Sequence, residues 1–254
     1  MERFHGSPST FPFHPVLRGV NVDYEAMLET FYRGLDLTNQ LVVDVGGHVG
    51  RHAFPLSELV GGNGTVFIFE PLPQARHQLY LEIISRGVVN AVVFPFALSS
   101  TSGITDFFYI PNLPGESGLK ERAIYNDVPS DIIKLSVATR RLDDLVPSSM
   151  SVAFLKIDAE GGELDILRGA ATMIGTSRPI VAFECGAASF LSYHDTPEDI
   201  FEIFAANNYS VFSITGTLVD DHESFRTYSH AQHFWDYIAI PNEKRHLADS
   251  LIDH

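Results

Sequence analysis

Apolar residues in this chain follow two different spacings, and each spacing predicts a different kind of element. Residues 23–35 carry apolar side chains at helical spacing, which predicts an amphipathic helix. Short continuous apolar runs are typical of strands that are buried on both faces of a parallel sheet. Runs of this kind predict strands over residues 41–45, 66–69, 91–97, 152–157 and 180–183, and less regular stretches predict extra strands over residues 106–110 and 134–140.

Helical patterns separate most of these strands, and strands that alternate with helices predict a mostly parallel sheet with helices on both faces. The last two predicted strands, over residues 210–214 and 235–240, are joined by a polar loop, so we expect an antiparallel hairpin at one edge. The fold class is therefore α/β. We expect a single domain over residues 23–254, preceded by an irregular arm over residues 1–22.

The composition narrows the classes of protein that fit this pattern. With 254 residues, of which 45% are hydrophobic and 19% charged, the chain suits one large globular domain. No apolar run approaches the about 18 to 20 residues of a membrane helix, and residues 1–10 lack a secretory signal. Together with a single cysteine, Cys185, these features predict a cytoplasmic protein without a membrane partner. The net charge of −15 disfavours nucleic acid as a partner.

A glycine-rich turn joins the first predicted strand to the helix that follows it. Gly46, Gly47 and Gly50 come directly after the apolar run, and glycine lets the backbone approach a ligand closely. Ligands of open α/β sheets bind in the crevice at the carboxyl ends of the strands, where this turn lies. The turn therefore predicts a cofactor site, although a tight strand-to-helix connection can exist without a ligand.

Glu70 favours a cofactor that contains a nucleoside. It ends the second predicted strand, where an ionised carboxylate can accept hydrogen bonds from both hydroxyls of a ribose. The alternative is a capping or solvated glutamate before Pro71. The glycines lack the Gly-x-Gly-x-x-Gly spacing that binds a pyrophosphate, and Asp44, two residues before Gly46, would meet an ammonium rather than phosphates. We therefore favour S-adenosylmethionine over NAD, with Asp44 orienting its methionine end.

The most specific motif covers residues 154–170 and reads Phe-Leu-Lys-Ile-Asp-Ala-Glu-Gly-Gly-Glu-Leu-Asp-Ile-Leu-Arg-Gly-Ala. It resembles the signature of the FkbM family of methyltransferases, as do residues 44–50 followed by Phe69-Glu70-Pro71. Weaker similarities lie at residues 96–99, 115–119, 141–145 and 182–184. The resemblance spans roughly residues 40–240, in the order of the family.

This resemblance implies a class I methyltransferase fold, which is Rossmann-like and has a mostly parallel sheet of seven strands with an antiparallel edge hairpin. It also implies S-adenosylmethionine as the methyl donor and a hydroxyl of a small molecule or glycan as the acceptor. Ala97 would place its backbone near the adenine, and Asp158 would face the methionine end or the acceptor. The other residues implied for the cofactor are Asp44, Gly46, Gly47, His48, Gly50, Glu70 and Pro71. The chain departs from the family at Gly47-His48, where Ala-Asn is common, which changes the hydrogen-bonding groups at position 48.

Methyl transfer to oxygen requires the acceptor hydroxyl to lose its proton, so a base or a metal ion near the hydroxyl assists the reaction. Asp158, Glu160 and Glu184 lie at or just after the ends of predicted strands and are the candidates for this role. Their structural alternatives are capping of the helix that follows and a salt link to Lys156 or Arg168.

A divalent metal is an open alternative to a side-chain base. In catechol-type methyltransferases, carboxylates at such strand ends hold magnesium, and Asp158 with Glu184 would suit a hard cation. His194 is a further candidate base, in a loop that follows Glu184.

The sequence thus predicts an O-methyltransferase that acts on a hydroxyl of a small molecule, either a natural product or a sugar. Two other functions stay open: an NAD-dependent oxidoreductase on a related sheet, and a non-catalytic cofactor-binding module on the same fold. Recognition of the acceptor is expected from the stretches at residues 1–22, 110–135 and 186–235.

Overall fold

The apolar runs form one central sheet, which has eight strands within the part of the chain that the structure describes. The structure is a computed structural model and describes residues 23–121, 131–186, 193, 196–231 and 234–251. In chain order its strands are β1 (Leu41–Val45), β2 (Thr65–Phe69), β3 (Ala91–Phe94), β4 (Ala97–Leu98), β5 (Gly103–Tyr109), β6 (Ile133–Arg140), β7 (Val152–Ile157), β8 (Ile180–Glu184), β9 (Tyr209–Ser213), β10 (Leu218–Val219) and β11 (Asp236–Pro241). Its α-helices are α1 (Tyr24–Arg33), α2 (Ala53–Val60), α3 (Pro73–Arg86), α4 (Leu142–Leu145), α5 (Glu163–Gly169), α6 (Ala171–Thr176), α7 (Pro197–Ala206) and α8 (His222–His230), and Pro114–Glu116 and Asn242–Leu251 are 3₁₀ helices.

The strand order in the central sheet is β10-β9-β11-β8-β7-β1-β2-β3. The five strands from β8 to β3 are parallel, whereas β11 runs antiparallel to both β8 and β9. The predicted mostly parallel sheet is confirmed. The predicted number of seven strands is wrong by one among the described residues, because the two-residue strand β10 pairs with β9 at the edge.

The connection between β9 and β11 differs from the predicted polar loop. It contains β10 and the nine-residue helix α8, which is capped by Asp221 and buries Phe225 against the sheet. This helix lets the chain return, so β11 enters between β8 and β9 instead of forming a simple hairpin at the edge. The antiparallel pairing of the last two predicted strands is confirmed, but β11 lies inside the sheet.

The third predicted strand, over residues 91–97, is two strands in two sheets. Pro95 has no backbone N–H to donate and therefore ends the ladder between β2 and β3. The chain then enters a second sheet of order β4-β6-β5, in which Ala97 pairs with Thr139. The extra strands predicted over residues 106–110 and 134–140 form the antiparallel pair β5–β6 of this small sheet.

The two faces of the central sheet pack against different helices. Every residue of β1 is buried, and successive side chains point to opposite faces. Val43 and Val45 belong to the core shared with α5, α6 and α7. Val42 belongs to the core shared with α1 and α2. The predicted layered fold with helices on both faces is thereby confirmed.

Some predicted features fall outside this description. The arm over residues 1–22 and the loop candidate His194 lie outside the described residues. Among the residues that are described, no helix is both long enough and apolar enough to cross a membrane.

Replacing Phe204 with alanine is expected to lower the free energy of unfolding by about 3 to 5 kcal/mol. Phe204 is 0% exposed and stacks on Phe183 with ring centroids 5.1 Å apart, so truncation leaves a cavity between α7 and the sheet. Ile84→Ala is the control, since Ile84 is 76% exposed and its replacement should change stability by less than about 0.5 kcal/mol. Urea denaturation measures both, and equal losses would contradict the assigned core.

Candidate active site

Five strands of the central sheet present polar residues on the face that packs against α1 and α2. The last core residues on that face are Val42, Ile68, Phe154, Ala182 and Ile238. Two positions nearer the carboxyl edge of the parallel strands, on the same face, lie Asp44, Glu70, Lys156, Glu184 and Asp236. Asp236 reaches this edge because β11 is antiparallel to β8 and pairs Asp236 with Glu184. The edge at which α/β sheets bind ligands therefore carries four carboxylates and one ammonium.

The glycine turn after β1 crosses the ends of both neighbouring strands. Gly46 has a φ of +76°, and a side chain there would place its Cβ 1.8 Å from the carbonyl oxygen of Asp158. At Gly47 a Cβ would lie 2.2 Å from Cγ2 of Ile68. Gly50, with a φ of +95°, meets the ring of Phe54. Glycine is required here because the backbone lies against β7 on one side and β2 on the other.

His48 continues the turn in the left-handed region, with a φ of +43°. Its backbone N–H donates to Oε2 of Glu70 over 2.9 Å. Because the main chain makes this hydrogen bond, it is kept with histidine at position 48, where the family commonly has asparagine. Asparagine and histidine both tolerate this left-handed conformation. Burial lowers the pKa of the His48 imidazole by more than the charge of Asp158 raises it, which favours a neutral ring at pH 7.

Glu70 links the glycine turn to the start of α3. It is 6% exposed, and its Oε1 accepts a hydrogen bond from the backbone N–H of Leu72 over 2.7 Å. Burial raises the pKa of Glu70 to about 7, although the bonds from Leu72 and His48 lower it. Each carboxylate oxygen has a further lone pair, so Glu70 retains the capacity to accept from two ligand hydroxyls. The carbonyl oxygen of Pro71 accepts from Arg76, which fixes the same turn.

Asp44, Lys156 and Asp158 form a charge network between β1 and β7, in which Asp44 and Lys156 are buried and Asp158 is partly exposed. Nζ of Lys156 lies 3.7 Å from Oδ1 of Asp44 and 3.1 Å from Oδ2 of Asp158. The second contact is the salt link foreseen as the structural alternative for Asp158. Burial raises the pKa of Asp44, and Lys156 opposes this effect. Burial lowers the pKa of Lys156, but the carboxylates around it raise it well above its usual value.

The three candidate catalytic carboxylates lie together at this edge. Asp158, Glu160 and Glu184 each place one oxygen so that all three oxygens are within 4.8 Å of one another. Burial raises the pKa of Glu184 well above its usual value, and the charges of Glu160, Asp158 and Asp236 raise it further. Such a cluster favours uptake of a proton or a cation, and the metal stays an open alternative.

Capping of the helix was the other structural alternative for these carboxylates, but α5 begins after Gly162 without a side-chain cap, and Glu163 binds the turn before it instead. Oε1 of Glu163 accepts from the backbone N–H groups of Ala159 and Gly161, over 2.9 and 3.3 Å. Glu163 therefore holds the turn that carries Asp158 and Glu160. Burial raises the pKa of Glu163 to about 7.

Asp236 is an acid of the site that the sequence analysis did not single out. Burial and the charges of Glu25 and Asp158 together raise its pKa to about 8, although Lys156 lowers it. The sequence signal for Asp236 is the alternation along β11, in which Asp236 shares a face with Ile238. Placing Asp236 at the site also requires knowing that β11 is antiparallel to β8.

A second missed group connects α1 to the segment before α2. The hydroxyl of Tyr32 lies 3.1 Å from Nδ1 of His52, and Nε2 of His52 contacts a carboxylate oxygen of Glu25. Burial raises the pKa of Glu25, but the bond to His52 and the charge of Lys156 lower it overall, to about 2. Glu25 therefore adds a negative charge near Lys156.

The small sheet lies beside the same edge. Ala97 packs with Leu72 and Ala75 at the start of α3, next to Glu70, although it belongs to the small sheet rather than to β3. In the loop after β5, a Cβ on Gly118 would lie 3.6 Å from Cβ of Glu160. The small sheet thus contacts the site on both the Glu70 side and the Glu160 side.

The strand order, with β11 inserted antiparallel between β8 and β9, together with the glycine turn after β1 and the acid after β2, defines a class I S-adenosylmethionine-dependent methyltransferase fold. A model of the methyltransferase FkbM domain matches residues 44–235. The chain belongs to the FkbM methyltransferase family, as the segment over residues 154–170 indicates.

Curated relatives and a solved structure agree with this family. The chain is 25% identical over 158 residues to Methyltransferase sdnD of Sordaria araneosa, which covers 52% of this chain and 61% of that protein. It is 27% identical over 146 residues to Methyltransferase 1 of Beauveria bassiana (strain ARSEF 2860), which covers 52% of this chain and 58% of that protein. The match spans about three fifths of the length of these relatives. Methyltransferase FkbM from Methylobacillus flagellatus KT superimposes with a TM-score of 0.50 at 15% identity, over 81% of this chain and 44% of that chain, which supports the fold.

Gly46→Ala is expected to destabilise the protein by about 2 kcal/mol or more, because the new Cβ would collide with the carbonyl oxygen of Asp158 at a left-handed φ. Gly62→Ala is the matched control, since a Cβ there meets no atom within 4 Å. Chemical denaturation measures both variants. A Gly46→Ala protein as stable as the control would show that the turn does not lie against β7 as described.

Proposed function

We propose that this protein is an S-adenosylmethionine-dependent O-methyltransferase that acts on a hydroxyl of a small molecule, either a natural product or a sugar. The observation that carries the proposal is the state of Asp44. Its carboxylate is 1% exposed, and within the described residues neither oxygen has a hydrogen-bond partner. Lys156 brings a positive charge to 3.7 Å from Oδ1 without a hydrogen bond, and a buried carboxylate requires hydrogen-bond donors. The ammonium at the methionine end of the cofactor supplies such donors.

The other residues of the edge fit the same cofactor. Asp44 lies beneath the glycine turn, since a Cβ on Gly47 would be 3.6 Å from Oδ2 of Asp44. Glu70 retains lone pairs for the ribose hydroxyls. The edge as a whole is acidic, which suits a cofactor with a net positive charge and would repel the pyrophosphate of NAD.

When bound, the cofactor supplies a methyl group that its sulfonium makes electrophilic. The protein aligns the acceptor hydroxyl with that methyl group and accepts the hydroxyl proton. Asp158, Glu160 and Glu184 are grouped for proton uptake. Glu184 is the favoured base, because its raised pKa brings its basicity closer to that of the hydroxyl. A divalent cation on the same three carboxylates would be the alternative means of lowering the pKa of the hydroxyl.

The acceptor side of the site is assigned to the loop after β5. Gly118 in that loop lies against Glu160, so the loop is adjacent to the groups that would accept the proton. A net charge of −15 supports a small molecule rather than a nucleic acid as the acceptor.

Isothermal titration with S-adenosylmethionine, S-adenosylhomocysteine and NAD is expected to show micromolar binding of the first two only. Glu70→Ala should weaken both by about tenfold or more, because it removes the acceptor for the ribose hydroxyls. Glu82→Ala, which removes an exposed carboxylate paired with Arg86, is the control and should leave both affinities unchanged.

The other functions give different results in the same experiment. Tight binding of NAD without S-adenosylmethionine would overturn the proposal in favour of the oxidoreductase. Binding of S-adenosylmethionine without turnover of any hydroxyl acceptor would favour the non-catalytic module. The unfolding transition of Glu70→Ala is recorded alongside, since this variant also loses the bonds from His48 and Leu72.

The free energy of unfolding is expected to fall as the pH rises from about 5 to about 8. In the folded protein the pKa of Glu70 is raised to about 7 and that of Asp236 to about 8. The stability that these carboxyls contribute is fully present below their unfolded pKa of about 4 and is lost as the pH rises through the folded values. The lowered pKa of His48 acts in the opposite direction but involves a single group.

S-adenosylmethionine should offset this loss, since its positive charge stabilises the ionised carboxylates. The increase in Tm that it causes is therefore expected to be larger at about pH 8 than at about pH 6. Thermal melts with and without the cofactor measure the difference. S-adenosylhomocysteine, which lacks the sulfonium charge, is the control, and an equal pH dependence for both ligands would contradict the electrostatic account.

A further inference from the structure

Helix α1 places its first turn beside the edge of the sheet that carries the acids. Residues 34–40 join its last residue, Arg33, to Leu41 at the start of β1, and so short a link keeps the end of α1 near the amino end of that strand. The ten residues of α1 rise about 15 Å, close to the roughly 16 Å of the five-residue strand. The first turn carries Glu25, which contacts His52 in the segment after the glycine turn. The start of α1 therefore lies at the carboxyl edge.

Tyr32 anchors α1 to the strand that carries Lys156. The Tyr32 side chain is fully buried, and its ring centroid lies 5.8 Å from that of Phe154 in β7. Phe154 and Lys156 are two residues apart in this strand, so their side chains share one face of the sheet. Helix α1 thus covers the face on which the charged residues reach the edge.

A chain of three side chains holds the carboxylate of Glu25. The hydroxyl of Tyr32 lies 3.1 Å from Nδ1 of His52, and Nε2 of His52 contacts Oε2 of Glu25. An ionised carboxylate only accepts hydrogen bonds, so Nε2 donates to Glu25, and in the neutral ring Nδ1 accepts from Tyr32. Tyr32 and His52 are buried, whereas the side chain of Glu25 is 53% exposed. An exposed glutamate ordinarily samples several rotamers, but this one is held by buried partners.

Electrostatic effects place the Glu25 carboxylate on the Asp44 side of the site. Burial opposes ionisation of Glu25, but the bond to His52 and the charge of Lys156 lower its pKa to about 2. Burial raises the pKa of Asp44, and the charge of Glu25 adds to this effect. Glu70, which is assigned to the ribose, follows β2 and lies on the far side of β1 from Lys156. Glu25 is therefore near the end of the site that is assigned to the ammonium.

We propose that Glu25 is a further binding residue for the amino-acid end of the cofactor, and that His52, supported by Tyr32, is its positioning residue. This inference rests on the proposed function of the site. With Oε2 held by His52, Oε1 of Glu25 accepts a hydrogen bond from the ligand ammonium. Asp44 binds this ammonium from the sheet, and Glu25 binds it from the helix that covers the sheet.

The test compares two ligands that differ in the amino-acid end. S-adenosylhomocysteine has this end, whereas methylthioadenosine lacks it, and both are uncharged at sulfur. Glu25→Gln keeps the size of the side chain and removes its charge. In this variant the Kd of S-adenosylhomocysteine, measured by isothermal titration, is expected to rise about fivefold or more, while that of methylthioadenosine changes by less than about twofold. A carboxylate that only supports α1 would weaken both ligands alike.

Glu29→Gln is the matched control on the same helix. Glu29 lies one turn further along α1 and also links the helix to the segment before α2, through an ion pair with Arg51. This variant should leave both Kd values within about twofold of those of the unmodified protein. The same selective rise as in Glu25→Gln would show that docking of α1, rather than the carboxylate of Glu25, sets the affinity, and would overturn the proposal.

A double-mutant cycle tests whether His52 acts through Glu25. His52→Phe keeps a buried aromatic ring but releases the carboxylate, so the Kd of S-adenosylhomocysteine alone is expected to rise, by about twofold to fivefold. The double variant should bind no more weakly than Glu25→Gln. Additive losses would overturn the positioning role of His52. If His52→Phe does not fold, Tyr32→Phe replaces it in the cycle, because it removes only the hydroxyl that holds the ring.

The outcomes separate this inference from the proposed function. If the unmodified protein binds neither S-adenosylmethionine nor S-adenosylhomocysteine, the proposed function itself fails. If it binds both, an unchanged Kd of S-adenosylhomocysteine in Glu25→Gln would overturn the role of Glu25 and leave the proposed function standing. A lower Kd in this variant would also overturn it, because it would show that Glu25 faces the carboxylate of the amino-acid end.

Discussion

The rest of the site depends on the burial of charge at one edge of an apolar sheet. On the face covered by α1 and α2, the hydrophobic core ends abruptly at a layer of carboxylates. Charges removed from water need partners, and the chain provides them from two sources. Backbone N–H groups donate to both oxygens of Glu70 and to Oε1 of Glu163, and they thereby shape the turns after β1 and β7. Lys156 is paired with Asp44 and Asp158. The remaining negative charge is the property on which the proposed recognition of a cationic ligand rests.

The elements that the sequence predicts best are those with strong local patterns. The bounds of β1 and β7 agree with the apolar runs because each run is buried on both faces, and Gly46 follows the first run and Asp158 the second. The elements missed between β9 and β11 have weak patterns. A strand of two residues, such as β10, has no period to detect, and α8 is mostly polar. The split between β3 and β4 follows from Pro95, whose effect on the ladder is visible only once its neighbours are known.

In the site, too, the residues with a local sequence pattern could be predicted, and those placed by tertiary structure could not. Asp44, Glu70, Asp158 and Glu184 could be proposed together because each lies near or just after the carboxyl end of a predicted parallel strand, and parallel strands bring such ends to one edge. Asp236 was missed because it begins its strand, and only the antiparallel direction of β11 brings it to the same edge. Glu25 lies in α1 and His52 in the segment before α2, and no sequence spacing relates either residue to Lys156. The departure at position 48 illustrates a further point, since the functional group there is the main chain.

The small sheet has a consequence for how new specificities arise on this scaffold. Its hairpin is closed by pairing of Tyr109 with Ile133, and the isolated bridge between Phe108 and Gly118 holds the first part of the connecting loop. The β5–β6 ladder belongs to the small sheet, whereas the glycine turn and Glu70 are attached to the central sheet. Insertions, deletions or grafts at the tip would leave that ladder in register. Under the proposed function, such a hairpin is an exchangeable cassette, through which acceptor preference can diversify while the residues of the central sheet stay unchanged.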